Sequence, residues 1–295
     1  MSSAGAVGPG LGFIGLGLAA SLFWGASDFL GGLATRKAHV VGVVAVAHGL
    51  SLGLLLLIAL ATHAPLPPQR FALLGLCAGA VGGVALILYY QALSLGEMGI
   101  TTALTGLLTA LIPVVHSSIT QGSPKSTQIA GFVLAAAAIA LIAYAPAGLP
   151  RPLALGLASI AGLAFGVFLV VLKLSSAYSL LWQLVFSRVA SATLATGIVI
   201  AMLLRPSEHA ATWKKEAGKN RFWWIAGSAG VLEATGSLLY MQATREGRLD
   251  VAAVLASLYP VVTIILAAWL LKERATSSQT VGMALALGAV VLVSI

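Results

Sequence analysis

The chain has 295 residues, of which 59% are apolar and only 8% are charged. An average soluble domain has about 25% charged residues. No soluble core of this length could bury so much apolar surface, and we expect the chain to lie in a lipid bilayer. The net charge of +8 would suggest nucleic acid as a partner of a soluble protein. Here most basic residues fall between apolar runs, which indicates membrane topology and disfavours nucleic-acid binding.

Apolar runs of about 20 residues, the length that crosses a bilayer, recur along the whole sequence. They predict an all-α integral membrane protein with ten transmembrane helices. The one long connection, 205–220, is polar and compatible with a short interfacial helix. The predicted spans are 11–34, 39–61, 70–93, 99–120, 126–146, 152–173, 179–204, 221–243, 249–271 and 277–295.

Short motifs recur in the two halves of the sequence and indicate an internal repeat. Five helices is an odd number, so the second copy must enter the membrane from the opposite side, as in the inverted repeats of alternating-access transporters. We therefore expect a first repeat at 1–148 and a second at 149–295, forming one structural unit. The motif pairs are Trp24-Gly25 with Phe165-Gly166, Tyr90-Gln91-Ala92 and Gly96 with Met241-Gln242-Ala243 and Gly247, and Pro113 with Pro260.

These motifs, in this order and spacing, resemble the drug/metabolite transporter superfamily in its EamA-like branch. Leu271-Lys272-Glu273-Arg274 after the ninth span is part of the resemblance, although Pro124-Lys125-Ser126 stands at the repeat-equivalent place. The resemblance implies a substrate carrier, often an exporter of amino acids or other small metabolites. It also implies that spans 1–4 and 6–9 enclose a central site, with spans 5 and 10 outside.

Glu233 is the strongest functional candidate because a charge inside a membrane span costs several kcal/mol. Ser237 and Tyr240 lie on the same helical face as Glu233, so this stripe is expected to line a cavity. The carboxylate there could exchange a proton or bind a cationic group. The alternative is a buried ion pair between Glu233 and Arg188 that sets helix packing.

Three other residues extend the candidate site. Aligning the repeats places His48 opposite Arg188, and EamA-like chains often have a basic residue there. Arg188 either contacts substrate or ties helices together through Asp28, Glu233 or backbone carbonyls. Asp28 lies near Trp24, and an aromatic ring beside an acid suits an ammonium group. The alternative for Asp28 is a solvated position near the membrane surface.

A second group of candidates consists of polar and aromatic residues at helical spacing near the two prolines. Threonine hydroxyls there either line a polar cavity or satisfy their own backbone. His116 either titrates near neutral pH or is a packing residue. We expect Trp182, Trp213, Trp223, Trp224 and Trp269 to be interfacial anchors. The second group is Tyr90, Thr105, Thr109, His48, His116, Ser257 and Tyr259.

The sequence predicts a secondary active transporter that exports a small polar metabolite, an amino acid or amine, across the cytoplasmic membrane by alternating access. Proton coupling through Glu233 is a hypothesis. An organic-cation or drug exporter, or an uptake carrier, is the alternative. A lipid translocator or an intramembrane enzyme is disfavoured. The sequence has no His-Glu-x-x-His and no P-loop.

No cofactor or metal is therefore expected, and the partners are the small-molecule substrate and the bilayer, with a monomer compatible with the sequence. The connections on the face opposite the termini contain more basic residues, which would place both termini outside the cell. The resemblance implies cytoplasmic termini, and this arrangement is the one we expect.

Overall fold

The chain forms an all-α protein, which confirms the all-α part of the predicted fold class. The computed structural model describes residues 10–95, 98–143, 151–204, 208–270 and 276–294, and has no strand in them. Gly96 and the motif Leu271-Lys272-Glu273-Arg274 lie outside these residues. The helices are α1 (Gly10–Thr35), α2 (Val40–Ala61), α3 (Gln69–Leu95), α4 (Met98–Thr120), α5 (Ser126–Ala143), α6 (Pro152–Ser175), α7 (Leu180–Leu203), α8 (Glu208–Ala217), α9 (Asn220–Glu246), α10 (Leu249–Ala256), α11 (Tyr259–Leu270) and α12 (Ser277–Ser294).

Each predicted span overlaps a helix, but the described residues form twelve helical segments rather than ten. One additional segment is α8, in the polar connection. The other arises because the ninth span is divided into α10 and α11. Pro260 has no N–H and cannot complete the helical hydrogen bond to the carbonyl of Ala256, where α10 ends. The equivalent Pro113 leaves α4 continuous.

Seven helical spans among the described residues are long and apolar enough to cross a membrane: α1 to α4, α6, α7 and the combined α10–α11. α5 and α12 contain shorter apolar stretches, Ser126–Leu141 and Thr280–Val293. α9 has 27 residues but is not in this group, since its central part contains Glu233 and several glycine, serine and threonine residues and is less apolar. These apolar helices indicate a multi-pass membrane protein, and the number of ten crossings stays a prediction.

The two halves of the chain pack against each other through equivalent pairs of helices. α1 packs along α9, and α6, the counterpart of α1 in the second half, packs along α3. α2 packs on its own counterpart α7, and α5 on its counterpart α12. This exchange of partners is the pattern expected of two halves related by a two-fold axis. The interior between the halves is therefore built from both.

Two glycines at equivalent positions allow helices from opposite halves to approach closely. A Cβ on Gly79 of α3 would overlap the backbone of Ser187 in α7, and a Cβ on Gly230 of α9 would overlap the backbone of Ala47 in α2. Small residues at such crossings are typical of membrane helix packing. The residue that follows Ser187 is Arg188 and the residue that follows Ala47 is His48, so both crossings bring a basic side chain to the interior.

The charged turn between α9 and α10 is fastened to neighbouring turns by arginine side chains. The Arg245 guanidinium donates to the carbonyl of Ser176 at the end of α6. Arg248 donates to Asp250 at 2.8 Å and to the carbonyl of Gly122 at 2.9 Å. These bonds connect the turns on the face of the protein where α1 begins and α12 ends.

Two of the tryptophans expected as interfacial anchors are buried instead. Trp213 of α8 packs against Gly42 of α2 and edge-on against Phe222, with ring centroids 5.4 Å apart. Trp182 donates its indole N–H to the carbonyl of Ala64 at 2.8 Å. The prediction was wrong for these two residues because each occupies a contact between the halves. The exposed Trp223, Trp224 and Trp269 fit an interfacial position.

We predict that Gly79→Ala and Gly230→Ala each lower the stability of the purified protein by about 1–3 kcal/mol, because the added methyl group overlaps a backbone that can move only if two helices separate. Thermal unfolding in detergent measures this loss. Gly197→Ala and Gly49→Ala, on the partner helices but facing open space, are matched controls. Equal unfolding temperatures for all four variants would contradict the proposed helix crossings.

Candidate functional site

A cavity of about 50 Å³ lies between the two halves. Its walls come from spans 1–4 and 6–9, the eight spans that the resemblance implied, and no residue of α5 or α12 is among its described lining. The part of the chain that the structure describes has no grouping of His, Cys, Asp and Glu that could hold a metal ion. The lining residues are Trp24, Asp28, His48, Gly82, Leu86, Thr109, Phe165, Phe168, Leu169, Arg188, Glu233 and Tyr259.

Much of the lining consists of residues at equivalent positions of the two repeats. Equivalent residues that meet in one cavity place that cavity on the axis between the halves. Most pairs combine two different types of side chain. The repeats therefore share helix positions around the cavity but not the charged groups at these positions. The pairs are Trp24 with Phe165, Asp28 with Leu169, His48 with Arg188, and Gly82 with Glu233.

The carboxylate of Glu233 is held by donors from two helices. Arg188 donates through Nη2 to Oε2 of Glu233, and Ser237, one turn further along α9, donates to Oε1 at 3.0 Å. The Nε2 atom of His48 lies 3.9 Å from the same Oε2 atom. Arg188 is only 2% exposed, so the two charges compensate each other inside the protein. A buried charge needs such pairing.

Two basic residues of the cavity retain unused hydrogen-bonding atoms. Among the described residues, Nε of Arg188 and both ring nitrogens of His48 are buried without a hydrogen-bond partner. Leaving a buried polar group without a partner costs about 1–3 kcal/mol. A ligand with acceptor atoms in the cavity would recover part of this free energy. The Glu233–Arg188 pair therefore leaves Arg188 with capacity for a second anionic group.

Asp28 forms a second polar centre in the same cavity. The hydroxyl of Tyr89 donates to Oδ2 of Asp28 at 3.0 Å and lies 3.0 Å from the hydroxyl of Thr102. Asp28 is 8% exposed, so the solvated surface position considered for it does not occur. Trp24 donates its indole N–H to the backbone carbonyl of Glu233 at 3.2 Å. This bond fixes α1 to α9 beside the carboxylate.

Thr109 and Tyr259, from the second group of candidates, also line the cavity. Thr109 donates to the carbonyl of Thr105 at 2.8 Å. Thr105 itself donates to the carbonyls of Thr101 and Ala158, so its hydroxyl satisfies backbone, as the simpler interpretation proposed. Ser257 likewise donates to the carbonyl of Val254.

Four further candidates are absent from the described lining of the cavity. Tyr240 is buried with no partner for its hydroxyl, and its ring lies 5.6 Å from the ring of Trp24. Tyr90 is buried with its ring 5.8 Å from that of Tyr89. The Nδ1 atom of His116 is buried without a partner. Ser237 acts through its bond to Glu233 rather than as part of the wall.

Sequence reasoning missed the apolar part of the wall and the partner of Asp28. Phe168 and Leu86 line the cavity, and Tyr89 bonds to Asp28. The repeat offered a signal for three of the missed residues. Leu169 is the equivalent of Asp28, and Leu86 and Tyr89 are the equivalents of the stripe residues Ser237 and Tyr240. Phe168 corresponds to no candidate residue in the other repeat.

Comparisons with known proteins agree with this architecture. The profile of the EamA-like transporter family matches residues 11–144 and again residues 152–295. A solved structure titled "Crystal structure of protein" superimposes with a TM-score of 0.71, covers 95% of this chain and 95% of its own, and has 19% sequence identity. At that identity the likeness shows the fold alone. A search of curated proteins gives no match.

Both repeats match the same family and together they cover almost the whole chain. Members of this family are membrane transporters of the drug/metabolite type. The match agrees with the apolar spans, the exchange of partners between the halves and the cavity between them. The chain belongs to the EamA-like transporter family.

Proposed function

We propose that this protein is a secondary active transporter that moves a zwitterionic metabolite, an amino acid or a related amine, out of the cell by alternating access. In this proposal, ten spans form two inverted repeats, 1–148 and 149–295, within a monomer in the cytoplasmic membrane, and both termini face the cytoplasm. Family membership supports transport. The observation that carries the substrate class is one cavity lined by both acidic and basic side chains.

The two ends of a zwitterion match the two kinds of side chain. The unused Nε of Arg188 and the ring nitrogens of His48 are suited to a substrate carboxylate, since hydrogen bonds to charged groups are the stronger ones. Asp28, with the aromatic rings of Trp24 and Tyr259 in the same wall, is suited to an ammonium group through charge and cation–π attraction. Phe168 and the other apolar residues would contact the remainder of the substrate.

Glu233 supplies a route to proton coupling in this proposal. An ionised Glu233 attracts the ammonium group of the substrate, whereas a protonated Glu233 does not. A proton and the substrate therefore compete for one carboxylate, which is the condition for exchanging substrate against protons. Ser237 and Arg188 would hold the carboxylate in place in the ionised state.

An organic-cation exporter is the second candidate, and the composition of the wall favours it in one respect. Phe165, Phe168, Leu86 and Leu169 give the cavity a large aromatic and aliphatic surface. Such a surface suits a hydrophobic cation that needs only Asp28 or Glu233 as its charged partner. Arg188 has a direct role for a zwitterion and none for a cation, so this residue distinguishes the two candidates.

We predict that Glu233→Gln removes the dependence of flux on an imposed pH gradient and lowers the flux at least about tenfold, since an amide of the same shape cannot exchange a proton. Counterflow of amino acids in proteoliposomes, with and without a gradient, measures both effects. Glu246→Gln is the matched control on α9, because Glu246 is exposed at the helix end and bonds to Gln242. A Glu233→Gln protein with unchanged pH-dependent flux would eliminate the coupling role.

We predict that Arg188→Gln lowers transport of phenylalanine at least about tenfold, because a charge-assisted hydrogen bond is lost from the carboxylate end of the site. Phenethylamine, which differs only by lacking the carboxylate, is expected to be a poor substrate of the unchanged protein. Arg36→Gln, at the exposed end of α1, is the control. If phenethylamine is transported as well as phenylalanine and Arg188→Gln affects neither, the organic-cation candidate replaces the zwitterion.

A further inference from the structure

The connection between α8 and α9 forms a second cavity, of about 220 Å³, which shares no lining residue with the central one and lies on the face opposite the termini. Its walls come from the end of α1, the end of α8 and the first turns of α9. The residues that line it are Leu33, Ala34, Lys37, Glu216, Lys219, Arg221, Phe222 and Ile225. The family function and the central site make no use of them.

Charge in this cavity is strongly positive. Three basic residues, Lys37, Lys219 and Arg221, converge on it, with Glu216 as the one acid of its lining. Glu216 is bound to Lys219 at 2.5 Å, so that pair is neutral. Lys37 and Arg221 have no ion-pair partner among the described residues. Basic residues that only set membrane topology need to lie on one face of the membrane. They do not need to line the same cavity, as these three residues do.

The other wall of the cavity is apolar. Leu33 and Ile225, with Ala34 and Phe222, form the side toward the helix bundle. The cavity thus combines cations on its outer side with hydrocarbon on its inner side. A small inorganic anion would use only the cations. A molecule with an anionic head and apolar chains would use both.

The depth of the cavity in the membrane fits the same type of ligand. Trp223 and Trp224, in the first turn of α9, are 43% and 77% exposed, as expected for side chains at the headgroup level. Trp223 donates its indole N–H to the carbonyl of Ala217 at 2.8 Å and so fixes the elbow between α8 and α9. Trp213 anchors α8 against Gly42. These contacts hold α8 and the start of α9 in place, and the exposed tryptophans indicate a cavity near the headgroup level.

We propose that this cavity binds the headgroup of an anionic phospholipid, with Lys37 and Arg221 contacting the phosphate and Leu33 and Ile225 contacting the start of the acyl chains. The site is separate from the substrate cavity, and the proposal does not depend on which substrate the protein carries. The same phosphate chemistry could come from free phosphate, and the experiment separates these two sources.

The test is native mass spectrometry of the purified full-length protein titrated with phosphatidylglycerol, with phosphatidylcholine of the same chains as the neutral comparison. A basic residue at an anionic lipid surface contributes about fivefold in affinity, so the double variant Lys37→Gln/Arg221→Gln should bind phosphatidylglycerol roughly 25-fold more weakly. Lys214→Gln/Lys215→Gln is the matched control. It removes the same charge from exposed positions of α8 outside the cavity and should leave affinity nearly unchanged.

Three results would overturn the proposal. Equal weakening in both double variants would mean that lipid responds to overall charge rather than to this cavity. Equal binding of phosphatidylcholine would mean that the cations do not select the headgroup. Displacement of the lipid by millimolar inorganic phosphate, with phosphate itself retained in the mass spectrum, would identify a free-anion site instead. Thermal unfolding of each variant without lipid verifies that a lost signal reflects lost binding and not lost fold.

Discussion

A carboxylate inside a membrane protein is stable only when a cation and hydrogen-bond donors compensate its charge, and Glu233 meets this condition through Arg188 and Ser237. The approach of α7 to α3 at Gly79 and of α2 to α9 at Gly230 brings the basic residues to the interior. Gly82, the repeat equivalent of Glu233, has no side chain to compete for Arg188. The helix crossings, the ion pair and the cavity are thus linked, because the charge of Glu233 must be compensated inside the protein and the crossings bring Arg188 to it.

The two halves share a backbone arrangement but not its chemistry. The packing of α1 on α9 is equivalent to the packing of α6 on α3. The side chains differ, because Asp28 in one repeat corresponds to Leu169 in the other, and Glu233 corresponds to Gly82. Alternating access in an inverted repeat needs two halves that can exchange conformations, which the shared backbone supports. Recognition of a substrate with unlike ends needs unlike side chains, and the differences within the pairs provide them. Symmetry in packing and asymmetry in charge therefore serve separate parts of the proposed transport cycle.

The helical spans could be predicted from the sequence because bilayer thickness sets the length of an apolar run, and the repeat was visible in paired motifs. The Glu233–Arg188 contact was foreseen as an alternative, because few other charges lie within the spans. The effect of the prolines was not predictable. Pro260 divides its span into two helices, whereas Pro113 leaves its helix continuous. Whether a proline interrupts a helix depends on the packing around it, which the sequence does not give. Phe168 could not be identified either, because a phenylalanine in an apolar span is equally suited to face lipid or the cavity.

Proton coupling in the proposed cycle requires that a proton and the substrate share the carboxylate of Glu233. The most direct measurement is the number of protons released when substrate binds to the purified protein in weakly buffered detergent solution. We expect release of about one proton per bound substrate when Glu233 starts protonated, and none from Glu233→Gln. Substrate binding to the unchanged protein without any proton release, over the whole pH range in which the protein stays folded, would contradict it.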